Sequence, residues 1–210
     1  MSTSAKYAGA AERWSEEQYA DSTAYLRHRA ELIVSLGPRP EPGDRILDLA
    51  CGDAGLADFL RSYEYVGVDA SEEMVRAARA RGARAELADL NDYVPSEPVA
   101  ATTCFRAIYY ARDRRAFFRR VADYTEKKLV FDLNPRQYDV AEIRADLAAA
   151  GFGAVSLRPF FVPQTRALPA AVAALFRAAE RTGPLARAVL RVRFTYLVTA
   201  TAGRGAGSVR

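Results

Sequence analysis

Apolar positions along this chain fall into two alternating rhythms. Residues 10–20 and 22–36 carry them near helical spacing, with Leu26, Ala30, Ile33 and Leu36 in the second stretch, which runs into Gly37-Pro38. From residue 45 the rhythm switches repeatedly. RILDLA reads as a strand, LADFLRSY as a helix, YVGVDA as a strand and SEEMVRAARARG as a helix closed by Gly82. ARAELAD is a third strand and VAATTCF a fourth; DRRAFFRRVADYT is a helix, KKLVFDLN a fifth strand and DVAEIRADLAAAG a helix ending at Gly151. A sixth strand lies near 153–161. The segment after it holds Val172, Leu175, Phe176, Leu185 and Val189, and RVRFTYLVTA then alternates strongly, as a strand does.

Apolar strands joined by helices build a parallel sheet covered on both faces, with right-handed crossovers. The expected fold is α/β: a seven-stranded, mostly parallel, doubly wound sheet. Two N-terminal helices precede it, a helical insertion precedes the last strand, and that strand is antiparallel, at or near the edge. A length of 210 residues with 50% hydrophobic content fits one domain over 1–210. Its parts are the N-terminal helices (10–36), the core (45–201) and a Gly, Ser and Arg tail (202–210) that is expected, like residues 1–10, to be disordered.

Composition removes several classes of function. No apolar run reaches the roughly 20 residues of a membrane helix, and MSTSAKYAGAAERW lacks the apolar centre of a signal peptide, so a cytoplasmic location is expected. Cys51 and Cys104 form no CxxC pair and there is a single histidine, so neither a disulfide framework nor a metal site is expected. The net charge of +4 comes from arginines interleaved with acids, which reads as a solvated surface and not as a nucleic-acid footprint.

The candidate chemistry starts at ILDLACGDAG, where Gly52 and Gly55 sit at a strand-to-helix turn that lets a ligand approach the backbone. Such a turn also serves as an ordinary tight corner, so its neighbours decide. Asp69 closes the next strand in YVGVDAS, followed by Ala70, at a position where a carboxylate accepts both hydroxyls of a ribose. Capping the following helix is the competing role for Asp69, but Ser71 suits that better, with Glu72 and Glu73 behind it. Asp89 ends the third strand beside the same crevice.

These motifs resemble class I S-adenosylmethionine-dependent methyltransferases over roughly residues 45 to 135. ILDLACGDAGLADFL is similar to that family's first motif, usually DLGCGTG followed by a helix. The resemblance implies that Asp48 meets the methionine ammonium, directly or through water. It also implies that the backbone around Ala50, Gly52 and Gly55 lies against the nucleoside, that Asp69 holds the ribose, and that Met74 packs on the adenine face. Asp89 and the Leu90 backbone correspond to the adenine-reading pair. Ala70, Phe105 at the end of the fourth strand and Tyr19 complete the cofactor set expected here. The sequence departs from the family at Ala50, generally Gly, and at Asp53-Ala54, generally Thr-Gly or Ser-Gly. FRAIYYARDRRAFFRRVA resembles a stretch that often reads SLHHVPD, with Tyr109 and Tyr110 in place of the histidines.

Methyl transfer from a sulfonium is an in-line displacement, so alignment matters more than acid–base power. A base is required only when the acceptor atom carries a proton. Its candidates are Tyr109, Tyr110 and His28, although His28 also reads as a polar residue on the exposed side of a helix. Tyr109 and Tyr110, with Asn134 and Arg136 after the fifth strand, are the candidate acceptor contacts. Tyr19 and Tyr25 are candidates to close over the cofactor. Asp132 and Asn134 faintly resemble a magnesium site, but strand four ends without the further acid it would want, so no metal is expected. The insertion at 168–191, with Arg177, Arg181, Arg187 and Arg191, reads as a helix packed on the sheet, a lid, or a peripheral lipid contact.

The expected partner is a small, partly hydrophobic acceptor, the expected state a monomer or homodimer, and no nucleic acid is expected. A nucleic-acid methyltransferase is the first alternative, although no basic block and no NPP-aromatic tetrad follows strand four. An NAD-dependent oxidoreductase would suit Asp69 but not Asp48 and Asp89, and no Tyr-x-x-x-Lys pair is present. A non-catalytic cofactor-binding scaffold is the third.

Overall fold

The computed structural model describes residues 14–163, 166–189 and 195–203. Helices α1 (Trp14–Gln18) and α2 (Ser22–Ser35) lead into a sheet of β1 (Arg45–Leu49), β2 (Glu64–Asp69), β3 (Arg84–Leu87), β4 (Val99–Cys104), β5 (Thr125–Leu133), β6 (Phe152–Phe160) and β7 (Thr195–Ala202). Helices α3 (Glu72–Ala80), α4 (Arg114–Tyr124) and α5 (Val140–Ala149) connect the strands, and α6 (Ala170–Ala179) and α7 (Gly183–Val189) form the insertion before β7. The tails expected to be disordered fall outside the described residues, except Ala202 and Gly203; Ala202 is the last residue of β7.

The sheet order is β3-β2-β1-β4-β5-β7-β6, with β7 antiparallel to both neighbours and the other described pairings parallel. The last strand therefore lies one place inside the edge, and β6 takes the edge. Alternation along the strands sorts the side chains onto two cores. Leu47 and Leu49 of β1 join Leu129, Phe131, Phe117, Phe118, Ile143 and Leu147 on the face covered by α4 and α5. Ile46, two residues before Asp48, joins Leu26, Ile33, Leu56, Val75 and Val130 on the face covered by α2 and α3. Each fully buried aliphatic or aromatic side chain contributes about 2 kcal/mol.

Polar groups mark where the helices begin and end. Asp21, Ser71, Asp113 and Asp139 accept backbone N–H bonds at the starts of α2, α3, α4 and α5. At the other end of α2, the buried Lys128 Nζ donates to Leu36 O at 2.6 Å and Val34 O at 3.3 Å, satisfying terminal carbonyls.

One expected helix is much reduced. LADFLRSY yields only a 3-10 segment, Gly55–Phe59. Gly43 N donates to Ser62 O at 2.8 Å and Glu64 N to Asp44 O at 3.0 Å, so the chain is drawn into β2 before a second turn forms.

The strand order reverses between β1 and β4, which opens a crevice beyond their carboxyl ends. In the register of the sheet, Asp48 on β1 stands beside Gly67 on β2 and Thr103 on β4, which places its side chain at the head of that crevice.

Candidate active site

A cavity of about 520 Å³ occupies the crevice. Its first wall is the turn after β1. Ala50, Gly52 and Ala54 have φ of 59°, 57° and 55°, so the chain passes through the left-handed region three times in five residues. The glycines leave room for other groups. A β-carbon on Gly55 would meet Ser15 Oγ at 2.5 Å and Leu26 Cδ1 at 3.1 Å.

Three carboxylates face the cavity, two from β1 and β2 and the third from the loop after β3. Asp48 is buried; its Oδ2 accepts from Tyr65 Oη at 2.7 Å and its Oδ1 from Thr103 Oγ1 at 2.6 Å. Burial pushes the Asp48 carboxyl up to about 6 against the opposing pull of those hydroxyls and of Arg29. Asp69 accepts from Gly52 N and from Ser71 N, both at 2.9 Å, so it ties the glycine turn to the start of α3. Burial raises its carboxyl, and the backbone donors offset part of that rise.

Asp89 lies two residues beyond the end of β3, in the loop. It accepts from Asn91 N at 2.8 Å, Asn91 Nδ2 at 2.7 Å and Arg112 Nη2 at 3.0 Å. Burial would raise its carboxyl, but the Asn91 amides and Arg112 outweigh that and hold it below the usual value. Asn91 Nδ2 also donates to Tyr110 O at 3.0 Å, and Arg112 N donates to Asn91 Oδ1 at 2.9 Å, which pins the segment after β4 to the loop after β3.

The eleven residues expected to face a cofactor all line this one cavity: Tyr19, Asp48, Ala50, Gly52, Gly55, Asp69, Ala70, Met74, Asp89, Leu90 and Phe105. Met74 is buried and packs with Ala77 and Trp14. Tyr109 and Tyr110 also line it, their rings tilted at 49° with centroids 4.3 Å apart, and Tyr109 is 54% exposed. Tyr19 stacks at 4.0 Å on Tyr25, which stands behind it in the core and away from the cavity wall.

Asn134 and Arg136 do not line the cavity. The chain turns at Asn134, whose carbonyl accepts from Gln137 N and Tyr138 N and whose Oδ1 accepts from Arg136 N at 3.0 Å, so the side chain is used by its own loop. His28 is neither on the cavity wall nor on an exposed helix face. It is buried, with Nε2 at 2.8 Å from Glu180 Oε2, while Glu180 Oε1 accepts from Phe161 N at 2.8 Å. The pair fastens α2 to the end of α6. Around it Phe161, Phe176 and Ala179 pack together, while Leu175 faces outward, and no described insertion residue lines the cavity.

Three arginines of the cavity wall, Arg29, Arg106 and Arg112, escape the sequence reading. Arg29 is 2% exposed and lies over the rings of Tyr25, Phe105 and Phe160. Its Nη2 donates to Tyr25 Oη at 2.6 Å and Asp132 Oδ2 at 3.4 Å, and its Nε has no hydrogen-bond partner among the described residues. Arg106 follows Phe105 with φ of 53°, its N–H donating to Asp132 Oδ1 at 2.6 Å. The available signal for Arg29 was its spacing, four residues after Tyr25 and four before Ile33, inside the apolar stripe of α2.

Comparison with known proteins supplies the class. Residues 46–128 match the family model described as a methyltransferase domain. None of the curated proteins compared matches the sequence. Among solved structures, the complex of the Haloferax volcanii Trm112 methyltransferase activator with a methyltransferase contains a chain similar at 20% identity and TM-score 0.70, covering 98% of this chain and 100% of that one. A TehB-like methyltransferase from Corynebacterium glutamicum is similar at 16% identity and TM-score 0.63, with 94% and 98% covered. Magnesium protoporphyrin IX methyltransferase from Synechocystis, solved with its cofactor, is similar at 18% identity and TM-score 0.57, with 92% and 82% covered. The structural likenesses establish the fold. With the match over residues 46–128, a methyltransferase domain that uses S-adenosylmethionine is what the comparisons support for this chain. No described helix is long and apolar enough to cross a membrane.

Proposed function

We propose that this enzyme methylates a small, partly hydrophobic molecule, and that the eleven residues named above form its cofactor wall. The observation that carries this reading is continuity. One cavity of about 520 Å³ runs from the three acids to an open rim of Tyr19, Tyr109 and Tyr110, a scale suited to a nucleoside cofactor and a small acceptor.

The residues fit the cofactor in charge as well as in shape. An α-amino acid group is a zwitterion, and Asp48 and Arg29 present an anion and a cation at the same end of the cavity, suited to the ammonium and the carboxylate. Asp69 faces the ribose hydroxyls, while Asp89 and the Leu90 backbone face the adenine edge and Met74 its face. S-adenosylmethionine bound there would supply a methyl group on a sulfonium, whose sulfur would leave as a neutral thioether, and any proton on the acceptor atom would pass to solvent. Tyr109 and Tyr110 orient the acceptor. The test is an acceptor screen with detection of S-adenosylhomocysteine: turnover confined to macromolecular acceptors would overturn the small-molecule reading.

A second reading, an accessory protein on the edge strand β3, is favoured by Leu87 and Val94, 55% and 60% exposed beside that edge, and by the complex in which the Haloferax protein was solved. Co-elution with a purified activator of the Trm112 kind, abolished by Leu87→Glu, supports it; independent elution of the wild type contradicts it.

A further inference from the structure

We infer that the acceptor carries an anionic group, a carboxylate or phosphate oxyanion, and that Arg106 is the residue that receives it. The inference rests on the methyl-transfer reading above and goes beyond it by naming the chemistry of the acceptor.

The charges around the cavity are unequally paired. Of its arginines, Arg112 is committed to Asp89 and Asp92, at 3.0 and 2.7 Å. Arg29 is paired with Asp132 and enclosed by three aromatic rings. Arg106 is different: among the described residues no carboxylate forms an ion pair with it. Its guanidinium lies 5.9 Å from the Tyr19 ring centroid, on the aromatic side of the cavity. The Tyr19 hydroxyl accepts a bond from this partly buried guanidinium, but a phenol carries no counter-charge, so the positive charge on the cavity wall is left to be neutralised by an anion.

The cofactor does not supply it twice. A methionine moiety carries one carboxylate, and Arg29, which lines the cavity with Asp48, keeps an Nε with no hydrogen-bond partner among the described residues beside its 3.4 Å contact to Asp132, so it is placed to take that group while Asp48 takes the ammonium. The second arginine is left for a second anion.

The backbone fixes where Arg106 points. Its φ of 53° is in the left-handed region, costly for a residue with a β-carbon, and the conformation is held by the 2.6 Å bond from Arg106 N to Asp132 Oδ1. Asp132 thereby fixes Arg106 through its N–H and Arg29 through its guanidinium. The rings of Tyr19, Tyr109 and Tyr110 on the same side suit a planar apolar body attached to the anion.

The test uses protein saturated with S-adenosylhomocysteine and three probes of similar size: 4-hydroxybenzoate, phenyl phosphate and the neutral 4-hydroxybenzamide, with binding followed by calorimetry. At least one anion is expected to bind about tenfold or more tightly than the amide, with an advantage that shrinks as ionic strength rises. Arg106→Gln is expected to erase that advantage and to leave the affinity for S-adenosylhomocysteine within about threefold. Equal binding of the amide, no binding of any probe, or an anion advantage insensitive to salt would overturn the inference. So would an Arg106→Gln protein that loses S-adenosylhomocysteine affinity as steeply as anion affinity, since Arg106 would then belong to the cofactor. A wild-type protein that fails to bind S-adenosylhomocysteine at all would instead overturn the cofactor reading on which this one rests.

Discussion

Ser15 is fastened to Asp53 twice, its N–H donating to Oδ2 at 3.0 Å and its hydroxyl to Oδ1, while Arg81 Nη2 donates to the same carboxylate at 2.9 Å. The buried Asp53 thus seats α1 across the glycine turn and brings Trp14 against Met74. Asp53 stands where the first motif of the methyltransferases this sequence resembles usually has Thr or Ser, and it has a structural use here. Asp53→Ala removes both carboxylate contacts of Ser15 and one of the two carboxylates that Arg81 pairs with, leaving it Asp58, and a stability loss of about 2 kcal/mol is expected. Affinity for S-adenosylhomocysteine should fall about tenfold as the wall carrying Trp14 and Tyr19 loosens. Urea unfolding and calorimetry read the two effects; unchanged affinity would mean that α1 is not part of the cofactor wall.

Ala50 and Ala54 both occupy the left-handed region, Ala50 where the family generally has glycine. Ala50→Gly and Ala54→Gly remove a strain of roughly 1 to 2 kcal/mol and add back part of it in backbone entropy. Each is expected to be neutral or to stabilise by up to about 1 kcal/mol. Destabilisation of more than about 1 kcal/mol by either would contradict the strain account.

The Asp48 carboxyl, raised to about 6 by burial, makes cofactor binding depend on pH. The ammonium of the ligand pairs with the ionised form, so binding draws a proton off Asp48 and is favoured as pH rises through 6. Affinity for S-adenosylhomocysteine should be level above pH 7 and fall about tenfold for each unit below pH 6. Tyr65→Phe removes a donor that lowers the Asp48 carboxyl, and the midpoint should move to higher pH. A flat affinity between pH 5 and 7, within about twofold, would remove Asp48 from the ammonium site.

The His28–Glu180 contact joins α2 to the insertion, and Glu180 also holds the Phe161 N–H. Glu180→Ala should therefore expose the segment 166–189 to limited proteolysis at least about tenfold faster, with a loss of about 3 kcal/mol from the uncompensated buried groups. Because no described insertion residue lines the cavity, S-adenosylhomocysteine affinity should change less than about threefold. Loss of cofactor binding in this variant would show that the insertion acts on the site.

How much of this was legible in the sequence depends on the range of each interaction. Strand alternation and caps are local, so the seven strands, Ser71 as a cap and the acids Asp48 and Asp69 were readable from neighbouring residues. The 3-10 segment at Gly55–Phe59 was not, because Gly43 and Asp44 shorten it from a distance in sequence. His28 and Arg29 were read as surface groups because their partners, Glu180 and Asp132, lie far along the chain and only the fold brings them near. Asn134 and Arg136 sit at the carboxyl end of the sheet, as expected, but local hydrogen bonds in their turn direct them elsewhere.

The central claim is tested most directly by titrating the protein with S-adenosylhomocysteine and, separately, with NAD, and repeating both on Asp69→Ala with its melting temperature recorded. The account predicts binding of the sulfur nucleoside at roughly micromolar affinity, no measurable binding of NAD, and a loss of at least about tenfold in a variant that remains folded. Binding of NAD alone, or affinity for S-adenosylhomocysteine unchanged in Asp69→Ala, would contradict it.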